Sequence, residues 1–330
     1  MKKIIRIYRI CRNSYKTLYK FNKKEKVFGK GLCFYFWYDL IWSISRFGCT
    51  PDEYLRFEFY KKSHSERDKF LTARRVDGIV KNFNTKNHTG EYFDKGEIYK
   101  IFSEFISRKW LDTRKSGYEE FRRFIIQEKE VFFKPSIGAE GVNISKYSYK
   151  EGDDLKGIYT QIKGFLIEEV IKQNKVMELL HPSSVNTIRV VAFLSKGEVE
   201  IIGCYVRMGI SNLSVDNISL GGMVAAVDIK TGVVYTPGIT KNLEKYLIHP
   251  LTGVQIIGFK IPNWENVIKT VKKAHLLMSN CRYLGWDIAI LGEGVELVEV
   301  NWRSGISFQM TNQRGLYEPI CKILKNERKN

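Results

Sequence analysis

No stretch of about 18 apolar residues, the length a bilayer demands, occurs in this 330-residue sequence. The longest candidate, residues 31–47, is broken by Asp39, Ser43 and Arg46. A secretory pattern is also missing, because Lys2, Lys3, Arg6, Arg9 and Arg12 recur before any apolar core of useful length. The six cysteines, at 11, 33, 49, 204, 281 and 321, form no CxxC pair and no regular spacing, which argues against zinc ribbons and disulfide scaffolds. Reduced thiols in a cytosolic protein are the expectation. Five isolated histidines give no zinc pattern, and internal repeats, low-complexity tracts and a Walker A sequence are absent.

What is present is a globular composition, 44% hydrophobic and 13% aromatic, in a chain long enough for two or three subdomains. The net charge of +18 is unevenly spread: residues 1–30 hold eleven Lys or Arg against the single acid Glu25. That concentration disfavours nucleic acid as a partner of the whole molecule. Ile4, Tyr8, Cys11, Tyr15 and Leu18 recur at helical spacing among those bases, the pattern of a basic amphipathic helix. Such a helix suits an anionic membrane surface, and equally a solvated face packed on its own domain.

Residues 1 to about 85 read as mostly helical, with a helix start at Thr50-Pro51-Asp52-Glu53. Helical spacing returns between about 97 and 127. From Val131 onward, short apolar runs separated by Gly, Asn and Asp read as strands: VFFKP, GFLIEEVI, TIRVVAFL, VEIIGCYVRM, GMVAAVDI, GWDIAIL and VELVEVNW. One helix interrupts them, from Trp264 to about Asn280, with Asn263 as its cap. The expected class is α+β behind a helical amino end.

The sharpest chemical pattern lies in the hairpin around Gly292-Glu293-Gly294. A three-residue turn centred on Glu293 makes cross-strand partners sum to 586, so Asp287 faces Glu299, and period-two alternation adds Asn301 to that face. Two carboxylates opposed at roughly 5 Å repel by roughly 3 kcal/mol at an effective dielectric near 20. A divalent cation reverses that sign, and an all-oxygen donor set suits magnesium. A solvated carboxylate pair at a sheet edge is the plainer reading.

Other positions could hold phosphate. Lys134 ends a strand before the loop Ser136-IGAEGV, where an ammonium and backbone N–H groups can meet a polyphosphate. Many strand-end lysines are merely solvated. In Phe165-LIEEVI one of the adjacent Glu168 and Glu169 must point inward or sit where the strand ends, and either case asks for a partner; an edge strand with a bulge is the plainer reading. Arg189 sits on a strand apolar on both faces, and a buried guanidinium there wants either a protein carboxylate or a transferring phosphoryl group. Asn217-ISLGG sets Gly221 and Gly222 before a strand, suited to a simple turn or to close approach by a ligand.

The order of these pieces resembles the ATP-grasp superfamily: Lys134 with its glycine loop, FLIEE, NTIR, NISLGG, then Asp287 and Glu299-x-Asn301. The likeness is greatest to its sugar-transfer-associated, α-L-glutamate-ligase-related branch, and it spans about 130–310 clearly and 30–130 more weakly. It implies two α+β lobes clamping ATP, with residues 91–165 as one lobe and 166–330 as the other. Residues 31–90 would be a helical region and 1–30 a basic segment. By position it implies Lys95 and Lys134 as the ATP lysines, and Gly138 to Val142, including Gly141, as a loop over the phosphates. Glu168, Glu169 and Val170 become the hinge whose backbone meets adenine, Glu178 a ribose contact, and Asn217 and Gly222 part of the nucleotide site. Arg189 would stabilise an acyl-phosphate transition state, and Asp287, Glu299 and Asn301 would hold one or two Mg2+ ions. The implied enzyme is a carboxylate–amine ligase joining an amine or amino acid to a sugar acid or glycan-linked carboxylate in surface-polysaccharide biosynthesis. Its expected place is cytoplasmic, peripheral at the inner membrane face. A carbohydrate kinase on the same fold, or a non-catalytic basic binding protein, stays open as an alternative. One departure is clear: the branch's Trp-Asn-Pro-Gly-like segment is replaced here by Trp302-Arg303-Ser304-Gly305.

Overall fold

The computed structural model describes residues 15–19, 21–22, 33–84, 94–138, 143–210, 221–304 and 307–329. Most of the basic stretch 1–30, together with Gly141, Val142 and Asn217, lies outside the described residues. Among those described, no helix is long and apolar enough to cross a membrane, and Cys49, Cys204, Cys281 and Cys321 are free thiols. The chain groups into two compact units, one made of 1–82 with 303–330 and the other of 83–302.

The first unit is helical. Its helix Pro51–Arg56 starts where Thr-Pro-Asp-Glu predicts, for the expected reason. Thr50 Oγ1 accepts from the Glu53 N–H at 3.1 Å and the Glu53 carboxylate accepts from the Thr50 N–H at 2.8 Å, so two orphan donors of the helix end satisfy one another. Tyr54, Phe57, Phe59 and Phe70 fill its core with ring centroids 5.1–6.3 Å apart. Within the short described stretch 15–19, Leu18 is fully buried while Tyr15 and Tyr19 are exposed.

The second unit carries two antiparallel sheets. Strands β1 (Trp110–Asp112), β2 (Glu130–Pro135), β3 (Ser145–Ser148) and β4 (Phe165–Glu169) pair in the order β1-β4-β2-β3. Phe121 and Ile125 of helix Tyr118–Glu128, with Leu155 of helix Leu155–Gln161, pack on Val131, Phe133 and Ile167 of that sheet. The larger sheet contains β5 (Ile188–Ser195), β6 (Glu198–Met208), β7 (Met223–Val227), β8 (Gly238–Thr240), β9 (Lys245–Tyr246), β10 (Tyr283–Ile290) and β11 (Val295–Asn301), ordered β11-β10-β5-β6-β7-β8-β9. Helix Trp264–Leu276 presses Val267, Val271 and Ala274 against one face, where Ile188, Val190, Leu284, Trp286, Ile288 and Val206 meet it. Strand alternation sends the intervening residues, Arg189, Asp287 and Arg207 among them, to the opposite face. All seven expected strands exist, and β3 with the short β1, β8 and β9 are additions the apolar pattern did not signal.

Two local expectations need correction. Asn263 does precede helix Trp264–Leu276, but it is left-handed (φ 54°) and makes no capping bond; its amide donates to the Gly294 carbonyl at 3.4 Å instead. The hairpin turn spans four residues, because Ile290 pairs with Val295 and the Leu291 N–H reaches the Gly294 carbonyl at 3.2 Å. That register would misalign the carboxylates, yet Asp287 still faces Glu299, since a bulge intervenes: Ile288 pairs with Leu297 and Asp287 with Glu299, leaving Val298 unpaired. The bulge flips the parity of β11. Val295 and Leu297 face the core on one side of it, while Glu299 and Asn301 turn beyond it to the face of Asp287 and Arg189.

Helix Trp264–Leu276 is seated by the turn below it. Trp264 Nε1 donates to the Ile229 carbonyl at 2.9 Å, and Gly232, at φ 71°, leaves no room for a side chain, since a Cβ there would lie 2.4 Å from Trp264 Cγ. Gly232→Ala should therefore cost roughly 2–4 kcal/mol from overpacking and left-handed strain. Urea denaturation midpoints read this directly.

Candidate nucleotide and metal site

β5, β6, β10 and β11 bring four charged side chains to one face. The Asp287 carboxylate lies between two arginines. Arg189 donates through Nε to Oδ1 at 2.5 Å and through Nη2 to Oδ2 at 2.8 Å, and Arg207 donates through Nη1 to Oδ2 at 2.8 Å. Asn301 Nδ2 donates to the same Oδ2 at 3.2 Å. Burial alone would raise the Asp287 pKa, but the two guanidiniums outweigh it and hold the carboxyl at about 2. Of the two anions open to Arg189, the structure holds the protein carboxylate. The expected bare, repelling carboxylate pair is corrected accordingly: Asp287 is already compensated. Arg207 was not foreseen, although the signal used for Arg189, an arginine on an apolar strand, applies to it equally.

Glu299 differs. Its side chain makes no hydrogen bond or ion pair with the described residues, and burial, then the nearby Asp287 charge, push its pKa above the ordinary carboxylate range against the pull of Arg189, Arg207 and Lys95. It is the open carboxylate of the pair.

On the smaller sheet, Lys134 donates to Glu168 Oε2 at 2.7 Å. Glu168 also accepts from Arg108 Nε at 2.9 Å and from the Tyr99 hydroxyl at 2.7 Å. Its burial is thus overcome by Lys134 and Arg108, which hold its carboxyl at about 2. This answers the Glu168–Glu169 problem: Glu168 points inward with partners, and the half-buried Glu169 accepts from the Lys109 N–H at 3.2 Å. The Glu169 N–H is itself taken by the Lys109 carbonyl at 2.9 Å, so within 168–170 Val170 is the residue just past the strand. Lys95 opens helix Lys95–Ile101, and its ammonium donates to the carbonyls of Pro135 at 3.1 Å and Gly138 at 2.8 Å. Burial lowers the Lys95 pKa, and the charges it senses next are Glu299, Lys134 and Glu168. The lysines and the carboxylate hairpin therefore share one electrostatic neighbourhood. Gly138 is in the positive-φ region at 140°, and Gly222 is buried at the head of β7. Glu178, by contrast, is exposed, and its side chain makes no hydrogen bond with the described residues; it is not drawn into the cluster. Arg108, Tyr99 and Glu296 belong to the cluster without having been predicted, because their partners are up to 190 residues away in sequence.

The chemistry fits the groups the resemblance implies. Ser136 Oγ, just before Gly138, is buried with no hydrogen-bond partner among the described residues, as a polar atom that meets a ligand would be. A carboxylate offers about four lone-pair positions. Three of the four bonds to Asp287 fall on Oδ2, so Oδ1 keeps one position. With Glu299 and the Asn301 amide oxygen, that is a small hard-oxygen set suited to magnesium that retains other oxygen ligands. Among the described residues no group of three or more His, Cys, Asp and Glu is arranged to hold a metal by itself.

The family described as sugar-transfer associated ATP-grasp matches residues 126–325. No curated protein matches the chain. Among solved structures, the chain is similar to the ATP-grasp ligase PsnB complexed with minimal precursor, Mg and ADP, at 14% identity and a TM-score of 0.45, over 75% of this chain and 62% of that one. It is also similar to D-alanyl-alanine synthetase A from Vibrio cholerae O1 biovar eltor, at 12% identity and a TM-score of 0.44, over 73% and 66%. A third is the biotin carboxylase domain of Hydrogenobacter thermophilus 2-oxoglutarate carboxylase, at 15% identity and a TM-score of 0.42, over 65% and 40%. The chain thus spans less than two thirds of the PsnB ligase, and the family match, not these likenesses, carries the assignment.

The raised pKa of Glu299 has a measurable consequence. A carboxyl whose folded pKa exceeds its unfolded value gives stability that is full below the unfolded value and lost as pH rises through the folded one. Glu299→Gln should then raise the melting temperature of the ligand-free chain at pH 7, with the gain vanishing below about pH 4. Melting curves of both proteins between pH 3.5 and 8 check it.

Proposed function

The chain belongs to the sugar-transfer associated ATP-grasp family, and we propose that it is an ATP- and Mg2+-dependent carboxylate–amine ligase. Its first step joins a substrate carboxylate oxygen to the γ-phosphorus of ATP and breaks the bond to ADP, giving an acyl phosphate. An amine then attacks the acyl carbon, phosphate leaves with the bonding electrons, and the amine proton passes to solvent or base. The products are an amide, ADP and phosphate.

The observation that supports this reading is the join between Lys134 and the carboxylate hairpin: Glu168 accepts from both Lys134 and Arg108, and Arg108 donates to the Leu297 and Val298 carbonyls beside Glu299. The lysine ammoniums would lie over the phosphates, with Lys134 exchanging its Glu168 partner for phosphate oxygens. Arg189, aimed by its two-pronged bond to Asp287, would meet charge developing at the transferring phosphoryl group and then on the oxygen of the acyl carbon under attack. Arg207, held by the same carboxylate, adds a second fixed positive charge. Gly138 to Val142 would cover the phosphates, Val170 would offer its backbone to adenine, and Asn217 and Gly222 would border the nucleotide. Glu299, Asp287 Oδ1 and Asn301 would hold magnesium, which when bound neutralises phosphate charge.

The finer reading is an acceptor that is a sugar acid or glycan-linked carboxylate and a donor amine such as an amino acid, in surface-polysaccharide biosynthesis. Work on a membrane-linked glycan would account for the +10 excess in residues 1–30, which could hold the enzyme at the inner, anionic membrane face.

The test is ADP and phosphate release across a panel of uronic acids and amino acids, followed by mass analysis of the products. A product lighter by water than the two substrates together, formed only when both are present, is expected. A stable phosphorylated sugar formed without amine would mean a kinase. In the active pair, Arg189→Lys should lower kcat by about 100- to 1000-fold while the Kd for ADP stays within about threefold.

A further inference from the structure

The parity flip in β11 leaves a debt in hydrogen bonding. A bulge removes its backbone groups from the ladder, and buried carbonyls without donors are costly. Here the Leu297 and Val298 carbonyls both turn to one side chain. Arg108 donates through Nη1 to the Leu297 carbonyl at 2.9 Å and through Nη2 to the Val298 carbonyl at 3.4 Å. The same Nη1 donates to Glu296 Oε1, and the Glu296 carboxylate is further fixed by the Ser107 hydroxyl at 2.5 Å. The remaining prong, Nε, reaches Glu168 Oε2, the oxygen that also accepts from Lys134. Arg108 is 5% exposed and lies over the Tyr99 ring at 4.7 Å.

Arg108 stands outside the strands, in the segment between helix Lys95–Ile101 and β1, yet it spans both sheets. On the larger sheet it satisfies the two carbonyls at the bulge. Without that bulge, the alternation that buries Val295 and Leu297 would carry Glu299 into the apolar core beneath helix Trp264–Leu276. On the smaller sheet it gives Glu168 a permanent cation. Glu168 therefore stays compensated when Lys134 moves away to another anion, a condition for burying that carboxylate at all.

We propose that Arg108 is a positioning residue for the nucleotide–magnesium site, setting the bulge that presents Glu299 beside Asp287 and tying that register to Lys134 through Glu168. The inference rests on the ligase reading only in taking this cluster as the nucleotide site. It needs a planar fork with several donors at fixed angles, which a lysine at this position lacks.

Calorimetric titration of ADP into the full chain, without metal and across a Mg2+ series, tests it. In the wild type, Mg2+ strengthens ADP binding with a definite midpoint. Arg108→Lys keeps the positive charge between Glu168 and Glu296 but cannot satisfy both carbonyls, so the Mg2+ midpoint should rise by about 10- to 100-fold, with metal-free ADP affinity changed less than about threefold. Gly232→Ala, destabilised at a turn that makes no hydrogen bond to Arg108 or to its partners among the described residues, serves as the control and should keep the wild-type midpoint, all proteins being verified as folded by circular dichroism at the working temperature. An Arg108→Lys midpoint equal to wild type overturns the positioning role. Equal losses in metal-free and metal-bound affinity do the same, reducing Arg108 to a packing residue. A wild type that binds no ADP at all overturns instead the ligase reading beneath it.

Discussion

A single carboxylate, Asp287, held between Arg189 and Arg207 on the face of the larger sheet away from its helix, is the contact on which the rest of the site depends. Asp287 alone offsets one of the two arginine charges, leaving an excess that only the neighbouring Glu299, when ionised, would cancel. The excess is fixed in direction, because the guanidiniums are aimed by short bonds at the acid and cannot wander. The cost is borne by the fold around it: β5 and β10 are buried along nearly their whole length, and their alternate residues form the apolar core under helix Trp264–Leu276. Strong packing on one face is what allows unusual chemistry on the other.

The same logic recurs on the smaller sheet. Glu168 is buried with Lys134, Arg108 and the Tyr99 hydroxyl around it. Neither network is a stability device in the ordinary sense, since well-packed apolar residues would often serve stability as well or better. Their common feature is compensated charge that a polyanionic ligand can draw upon. Lys134 and Glu299 are the two members with most to gain. One could trade a protein carboxylate for phosphate, and the other is an acid kept uncomfortable by burial and by its neighbour.

Much of this was legible in the sequence, and for identifiable reasons. Apolar runs punctuated by glycine and asparagine located the main strands, and Thr50 with Glu53 located a helix start, because period and capping are local properties. The Asp287–Glu299 pairing was also read correctly, though through two compensating errors: a turn one residue short and an unseen bulge. The sequence did hold the bulge's trace. Apolar residues in Val295-ELVEVN switch from odd to even positions at Val298, which no regular strand permits. What could not be read was the company these residues keep. Arg108 sits in an unpatterned loop, and its partners Glu168, Glu296 and Leu297 are set by how two sheets of the unit meet. Arg207 was legible by the argument applied to Arg189. Its shared hold on Asp287 was not, because it comes from strand order, with β5 between β6 and β10.

The central claim is that the cluster binds a divalent cation together with a nucleotide, with Glu299 as the open acid. Electron paramagnetic resonance of Mn2+ titrated into the protein, with and without ADP, tests it most directly. The account predicts that ADP sharply tightens Mn2+ binding at one or two sites and that Glu299→Gln abolishes the tightening. Mn2+ binding that is indifferent to ADP, or unchanged by the loss of the Glu299 charge, would contradict it.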